Sequence, residues 1–291
     1  MKRKGFLKSL AILPLAGIAM NLNKFNLFAA SLDSTDNMPV LFIGHGSPMN
    51  AIEQNEFTET WKTVSQSFPK PAAALCISAH WETKGTFVTA MEKPQTIHDF
   101  GGFPQALFNV QYAAPGSPEL ALETKALVSG TNVGLDEKWG LDHGCWSVMK
   151  RFYPDADVPV IQMSLDYYQN AQYHYDLAKE LASLRNKGVL IIGSGNMVHN
   201  LRMLEWDKPD KGADWAIEAN AIFKKLISNN DHQQMINYNK LGRAVELAVP
   251  TPEHYLPLLY ALALKTEKEE ISFFNDKPVM GSLSMTSLRI G

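Results

Sequence analysis

Val40-Leu41-Phe42-Ile43-Gly44, followed at once by His45-Gly46-Ser47-Pro48, decides how the rest of the chain reads. An unbroken apolar run that stops at a turn marks a strand buried on both faces. The pattern recurs. Ala72 to Ser78 (AAALCIS) stops before Ala79-His80, Thr86 to Ala90 is a third run, and Val158 to Met163 (VPVIQM) a fourth. Val189 to Gly193 (VLIIG) leads into Ser194-Gly195-Asn196. Helical stretches lie between and after them: Phe57 to Phe68, a segment opened by Pro118, amphipathic Gln172 to Leu184, Trp215 to Ile227, and His254 to Leu264. Proline opens a helix at no loss, because the first N–H has no intrahelical partner. Ile271 to Phe274 and Ser282 to Arg289 supply late strands. This alternation predicts an α/β fold: a single domain with a central, mostly parallel (mixed) sheet and helices on both faces. No linker, repeat or low-complexity tract divides residues 31–291.

In open α/β sheets, sites form outside the carboxyl ends of the strands, and histidines stand at those places. His45 follows the first strand between two glycines, and His80 follows the second in Ser78-Ala79-His80-Trp81-Glu82. His199 ends the turn Gly193-Ser194-Gly195-Asn196-Met197-Val198. His254 lies in Thr251-Pro252-Glu253-His254-Tyr255-Leu256-Pro257, which reads as a helix entrance with Thr251 as N-cap and Pro252 at the first position. His143 lies at a loop-to-helix junction, Gly140-Leu141-Asp142-His143-Gly144-Cys145-Trp146. Imidazole is the commonest neutral metal ligand and suits iron and zinc alike. His98 sits in a Gly- and Phe-containing loop suited to covering a site. His174, on a helix among tyrosines, reads as a surface residue, and His232, in a polar loop, is given no role. No HExxH, paired CxxC, Walker A loop or GxSxG elbow is present. Spacing alone therefore points to a histidine-rich metal site and leaves the reaction open.

Composition narrows the field. The net charge of −3 gives no nucleic-acid footprint, and two cysteines, Cys76 and Cys145, imply no disulfide framework. The first thirty residues differ in kind. Lys2, Arg3 and Lys4 precede the apolar run Leu10 to Met20, the pattern of an export signal. The run falls short of the about 20 apolar residues that a spanning helix needs. Arg3-Lys4-Gly5-Phe6-Leu7-Lys8 resembles a twin-arginine signal with lysine in place of the second arginine, and Ala29-Ala30-Ser31 is a candidate cleavage site. Export of residues 31–291, to the periplasm, is the expectation; a buried N-terminal helix on a cytoplasmic protein is the alternative. Loss of the leader would remove five cations and no acids, taking the net charge from −3 to −8.

Taken together, GHGSPMNA (44–51), SAHWE (78–82), HDFGGFP (98–104), GLDHGCW (140–146), GSGNMVHNL (193–201) and TPEHYLPLLY (251–260) closely resemble the LigB-type extradiol ring-cleaving dioxygenases, in the branch of 4,5-DOPA extradiol dioxygenase-like proteins. The resemblance spans residues 31–291. It implies one α/β domain and one divalent metal per chain, Fe(II) for dioxygenase activity with Zn(II) in some members. By motif, His45, His80, His199 and His254 are metal ligands, with His199 alternatively an acid–base residue. His143 matches a histidine that touches substrate or oxygen, so His143 and His199 are the catalytic candidates. Many extradiol enzymes use a carboxylate as the last ligand, and here Glu253 adjoins His254. The implied reaction opens a catechol-type aromatic ring with O2, in a pocket lined by Trp81, Phe100, Phe103 and Trp146. A non-redox zinc hydrolase and a non-catalytic metal-binding protein are the other readings of such a centre.

Overall fold

The computed structural model describes residues 37–291, so the expected export signal at 1–30 lies outside the described residues. In chain order the elements are β1 (Val40–Gly44), α1 (Glu56–Ser65), β2 (Ala73–Thr83), β3 (Thr86–Thr89), α2 (Gln105–Phe108), α3 (Pro118–Leu127), β4 (Val133–Asp136) and α4 (His143–Phe152). They continue with β5 (Val160–Asp166), α5 (Ala171–Glu180), β6 (Val189–Gly195), α6 (Asp214–Ser228), α7 (His232–Ile236), α8 (Arg243–Ala248), α9 (Leu256–Ala263), β7 (Ile271–Phe274), β8 (Pro278–Val279), β9 (Leu283–Ser284) and β10 (Ser287–Ile290).

One eight-stranded sheet has the order β4-β3-β5-β2-β6-β1-β10-β7. Its centre, β5-β2-β6-β1, is parallel throughout. Antiparallel β10 and β7 close one edge, and β3, antiparallel to β5 but parallel to β4, leads to the other. The sheet is thus mixed around a parallel core. Strand β4 escaped the sequence reading because Val133-Gly134-Leu135-Asp136 is short, half polar and at an edge.

The unbroken apolar runs have a direct physical cause. Successive side chains of a strand point to opposite faces. Val40 and Phe42 of β1, Leu75 and Ile77 of β2, and Val189 and Ile191 of β6 join the core under α3, α5, α6, α8 and α9. Leu41 and Ile43, Ala74 and Cys76, and Leu190 and Ile192 join the core under α1 and α4. With helices on both faces, both faces are largely apolar, and the buried polar exceptions such as Gln162 and Ser194 are hydrogen-bonded. Truncating one of these residues, as in Leu75→Ala, would cost about 2–5 kcal/mol.

Three local expectations are corrected. Strand β2 does not stop at Ser78 but runs through His80 to Thr83. Its pairing with β5 jumps from Ile77↔Met163 to Glu82↔Leu165, so Ser78-Ala79-His80-Trp81 bulge opposite Ser164. A bulge of this kind re-aims side chains, and His80 is on it. Secondly, no helix starts at Pro252. Residues 251–255 form a turn closed by Tyr255 and Leu256 N–H on the Pro252 carbonyl, and α9 begins at Leu256. Pro257 explains the delay: it lacks the N–H that a longer helix would demand there, and fits only in a first turn. Thirdly, His174 is not on the surface. With Leu177 and Ala178 it forms the buried face of α5, and its Nδ1 meets the Tyr260 hydroxyl of α9 at 3.0 Å.

Candidate active site

The parallel strands deliver their loops to one end of the sheet. His45 leaves β1 with its N–H on the Gly195 carbonyl of β6, and its own carbonyl is held by the Asn50 amide at 3.0 Å. His254 is placed by contact with the same strand. The Asn196 N–H donates to the His254 carbonyl at 2.8 Å, and a Cβ at Gly195 would lie 2.1 Å from that oxygen. Only glycine lets the 251–255 turn lie so close. His143 is the first residue of α4, behind the N-cap Asp142, whose carboxylate accepts from Cys145 N–H. Gly144 lets that helix end settle on the β2 bulge, since a Cβ there would meet Ser78 Oγ at 2.5 Å and His80 Cδ2 at 2.8 Å. His199 follows β6, with its N–H on the Ala248 carbonyl.

Five imidazoles meet as a result. Ring centroids are 5.0 Å apart for His45–His80, 3.8 Å for His80–His143, 5.0 Å for His80–His254 and 5.5 Å for His45–His254. His199 lies flat on His254, 3.5 Å away and nearly parallel. Possible ligand atoms of His45, His80 and His143 fall within 4.8 Å of one another, as do those of His199, Glu253 and His254. His98 is one layer out, its Nε2 on the Val110 carbonyl at 3.0 Å. His174 and His232 are elsewhere, paired with Tyr260 and Tyr175.

Hydrogen bonds fix how these rings face. Ser194 Oγ donates to the Gly144 carbonyl at 2.6 Å, so it must accept from His45 Nδ1, 3.0 Å away. The lone pair of His45 is therefore on Nε2. His254 Nδ1 donates to Glu253 Oε1 at 3.0 Å, and that carboxylate also takes the Thr251 hydroxyl. Glu253 thus holds the Nδ1 side of the His254 ring. His143 Nδ1 donates to Asp99 Oδ2 at 2.8 Å. Each tautomer leaves Nε2 as a base aimed away from its anchor.

Electrostatics agree. Burial, then the neighbouring imidazoles, push His45 and His80 well below the usual histidine range. Burial also lowers His254 against the upward pull of Glu253, and brings His199 down to about 3 with help from His254. Burial pushes Glu253 up, but the hydrogen bond and charge of His254, a backbone donor and Thr251 outweigh it and bring it to about 2. For this close pair the sense is an ionised carboxylate beside a neutral imidazole, because a proton on His254 would face four more imidazoles. Asp99 likewise ends low: burial pushes it up, and its bonds from His143 prevail.

These residues fit a divalent metal. His45 Nε2 and His80 Nε2 are 3.0 Å apart, close enough for both to reach one ion at the ordinary Zn–N distance of about 2.0–2.1 Å. Neutral nitrogen donors backed by a serine and carboxylates are the set that holds such ions. Ser194 and Asp99 were not singled out in the sequence, although both lie inside the quoted blocks. The carboxylate of Asp142 is also buried here, taking bonds from Ser78 and Gln162.

The expected aromatic lining divides. Phe100 meets His143 edge-on at 5.5 Å and Phe103 packs on Phe100. Trp81 stacks on Trp139. Trp146 is fully buried in the core with its N–H on the Ile97 carbonyl.

Comparison with known proteins gives this arrangement its place. Residues 39–275 match the family model described as the catalytic LigB subunit of aromatic ring-opening dioxygenase. A protein of Escherichia coli (strain K12) named 4,5-DOPA dioxygenase extradiol is 45% identical over 89% of this chain and 96% of its own length. The protein of that name from Beta vulgaris is 36% identical over 89% of this chain and 98% of its own. The crystal structure of an uncharacterized Escherichia coli K12 protein aligns with a TM-score of 0.75 at 40% identity, covering 87% of this chain and all of that one. Such relatives do not favour a hydrolase or a non-catalytic binder. This chain belongs to the LigB family and is an extradiol ring-opening dioxygenase.

Proposed function

We propose that this enzyme opens a catechol bearing a DOPA-like side chain, next to its diol, with O2 and one divalent metal per chain. Fe(II) is the catalytic ion of this reading, and Zn(II) is a competing occupant of the same donors. His45, His80 and His254 hold it. The observation that carries the reading is the convergence of their imidazoles with Nδ1 of His45 and His254 tied down, which leaves Nε2 free to bind. When bound, the ion supplies Lewis acidity toward the diol and, as Fe(II), the electrons that O2 needs to react.

His199 takes the proton side of the reaction. Coordination uses the in-plane lone pair, and the ring of His199 lies parallel to His254 at 3.5 Å. Two such parallel rings do not aim their lone pairs at one ion. Unprotonated at neutral pH, His199 is available to accept the catechol hydroxyl proton and return it as the ring opens. His143 presents Nε2 as hydrogen-bond partner to a substrate oxygen, with Asp99 behind it. Phe100, edge-on to His143, and Phe103 packed on it put an apolar surface on that side. Both oxygen atoms of O2 end in the product, a muconic semialdehyde. The leader-like residues 1–30 support export to the periplasm.

The test is anaerobic loading with Fe(II), then O2 and a panel of catechols including DOPA. A yellow ring-opened product with stoichiometric O2 uptake supports the reading; no product from any catechol overturns it.

A further inference from the structure

We infer that Asp99 is a positioning residue that sets two histidines with a single carboxylate: His143 for its part in proton handling and His80 for its part in holding the metal. This rests on the roles proposed for those two residues. The geometry is specific. Asp99 Oδ1 accepts the His143 backbone N–H at 2.9 Å, while Oδ2 accepts its Nδ1 at 2.8 Å. The same Oδ2 stands 3.4 Å from His80 Nδ1. His80 lies on the β2 bulge and His143 opens α4, so one carboxylate ties a strand irregularity to a helix start.

Its position is well supported. The amide N–H groups at a helix N-terminus favour an anion, and Asp99 takes the first N–H of α4 while the N-cap Asp142 takes that of Cys145. On one side of Asp99, His98 is bonded to the Val110 carbonyl. On the other, Phe100 packs against Phe108 and the edge of His143. Two anchored neighbours leave the carboxylate little freedom. The His143 Nδ1 hydrogen bond to Oδ2, and the approach of His80 Nδ1 to within 3.4 Å of the same oxygen, leave both Nε2 atoms toward the centre. Carboxylates behind metal-bound histidines act this way, and their loss typically weakens the metal 10–100-fold.

Asp99→Asn keeps the shape and removes the charge. Two measurements on the full-length protein test the inference. Zn(II) affinity of the metal-free variant should fall about 10–100-fold. At saturating Fe(II), kcat should fall about 10²–10⁴-fold with KM nearly unchanged, and Asp99→Asn/His143→Gln should be no slower than His143→Gln alone. That non-additivity is the signature of action through His143. Unchanged Zn(II) affinity would overturn the His80 half, whether or not any catechol is turned over. Multiplicative kcat losses in the double variant would overturn the His143 half and leave ring opening itself intact. If wild-type protein opens no catechol, the reaction assigned here fails and takes the His143 half with it. Should Asp99→Asn not fold, Asp99→Glu, which retains the charge, is put through the same pair of measurements and should show the same pattern at smaller amplitude.

Discussion

His45 Nε2 and His80 Nε2 lie 3.0 Å apart, although the residues come from different strands. Strand β6 lies between their parents β1 and β2 in the sheet. The gap is closed by the bulge in β2, which turns His80 inward, and by Ser194 of β6, which points His45 Nε2 the same way. Two neutral nitrogens at that distance are close enough to share one ion. Purified protein should carry about one divalent metal per chain, the stoichiometry of a single such centre. His45→Ala and His80→Ala should each abolish binding, as read by elemental analysis. Full occupancy in both variants would sink the assignment.

The His254–Glu253 pair predicts a ranking. His254 is neutral and faces the centre, and Glu253 accepts from its Nδ1 at 3.0 Å. His254→Ala should therefore strip the metal, while Glu253→Gln should weaken it only about 10–100-fold, as loss of a carboxylate behind a histidine ligand does. Titration of the metal-free variants with Zn(II) reads both. The reverse ranking would restore a site of two histidines and one carboxylate.

Much of this was legible in the sequence, for a physical reason. Strands covered on both faces must be apolar throughout, so β1, β2, β5 and β6 announce themselves, and His45 and His199 lie just beyond them. What was hidden depends on partners distant in the chain. The β2 bulge exists only against Ser164 of β5, so His80 read as a residue past a strand end. Whether His254 or Glu253 faces inward is settled by a turn lying against Gly195. His174 looked exposed among polar neighbours until α9 brought Tyr260 to it. The late start of α9 was in plain sight, in Pro257.

Ligand and proton carrier should separate kinetically. His143→Gln and His199→Gln should each retain the metal while kcat falls about 10²–10⁴-fold, the range for loss of a positioned acid–base group. Metal content and turnover on one preparation settle it. If His199→Gln loses the metal, His199 moves into the ligand set; if His143→Gln does, distance to His80 has outweighed the anchor on Asp99.

The proposed export rests on residues 1–30 alone and makes a separate prediction. Native cells should contain a form beginning near residue 30, at Ala29-Ala30-Ser31. Mass spectrometry of the N-terminus reads it directly, and intact Met1 on the native protein would refute it.

Acid should destabilise the metal-free enzyme in two separate windows. His45, His80, His174, His199 and His254 are all held below the usual histidine range, His174 at about 4 and His199 at about 3, with burial the leading cause for each. In the unfolded chain each protonates near the ordinary value of about 6.5. Between that value and the lowered native ones, the unfolded state binds more protons, so stability falls as pH drops. Each group contributes up to about 1.4 kcal/mol per pH unit across its window. Glu253, lowered to about 2, gives the same sign only below the unfolded glutamate value of about 4.3. Denaturant midpoints of metal-free protein should therefore drop from pH 7 to pH 5, with the five histidines outweighing the opposite contribution of Glu82 and Asp142, whose carboxyls burial holds above the usual range. His174→Asn should flatten that slope by one proton without touching the metal centre, because His174 is in contact with Tyr260 and not with the five imidazoles of the centre. A stability that is flat or rises on going from pH 7 to pH 5 would contradict the neutral, buried imidazoles on which the ligand assignment depends.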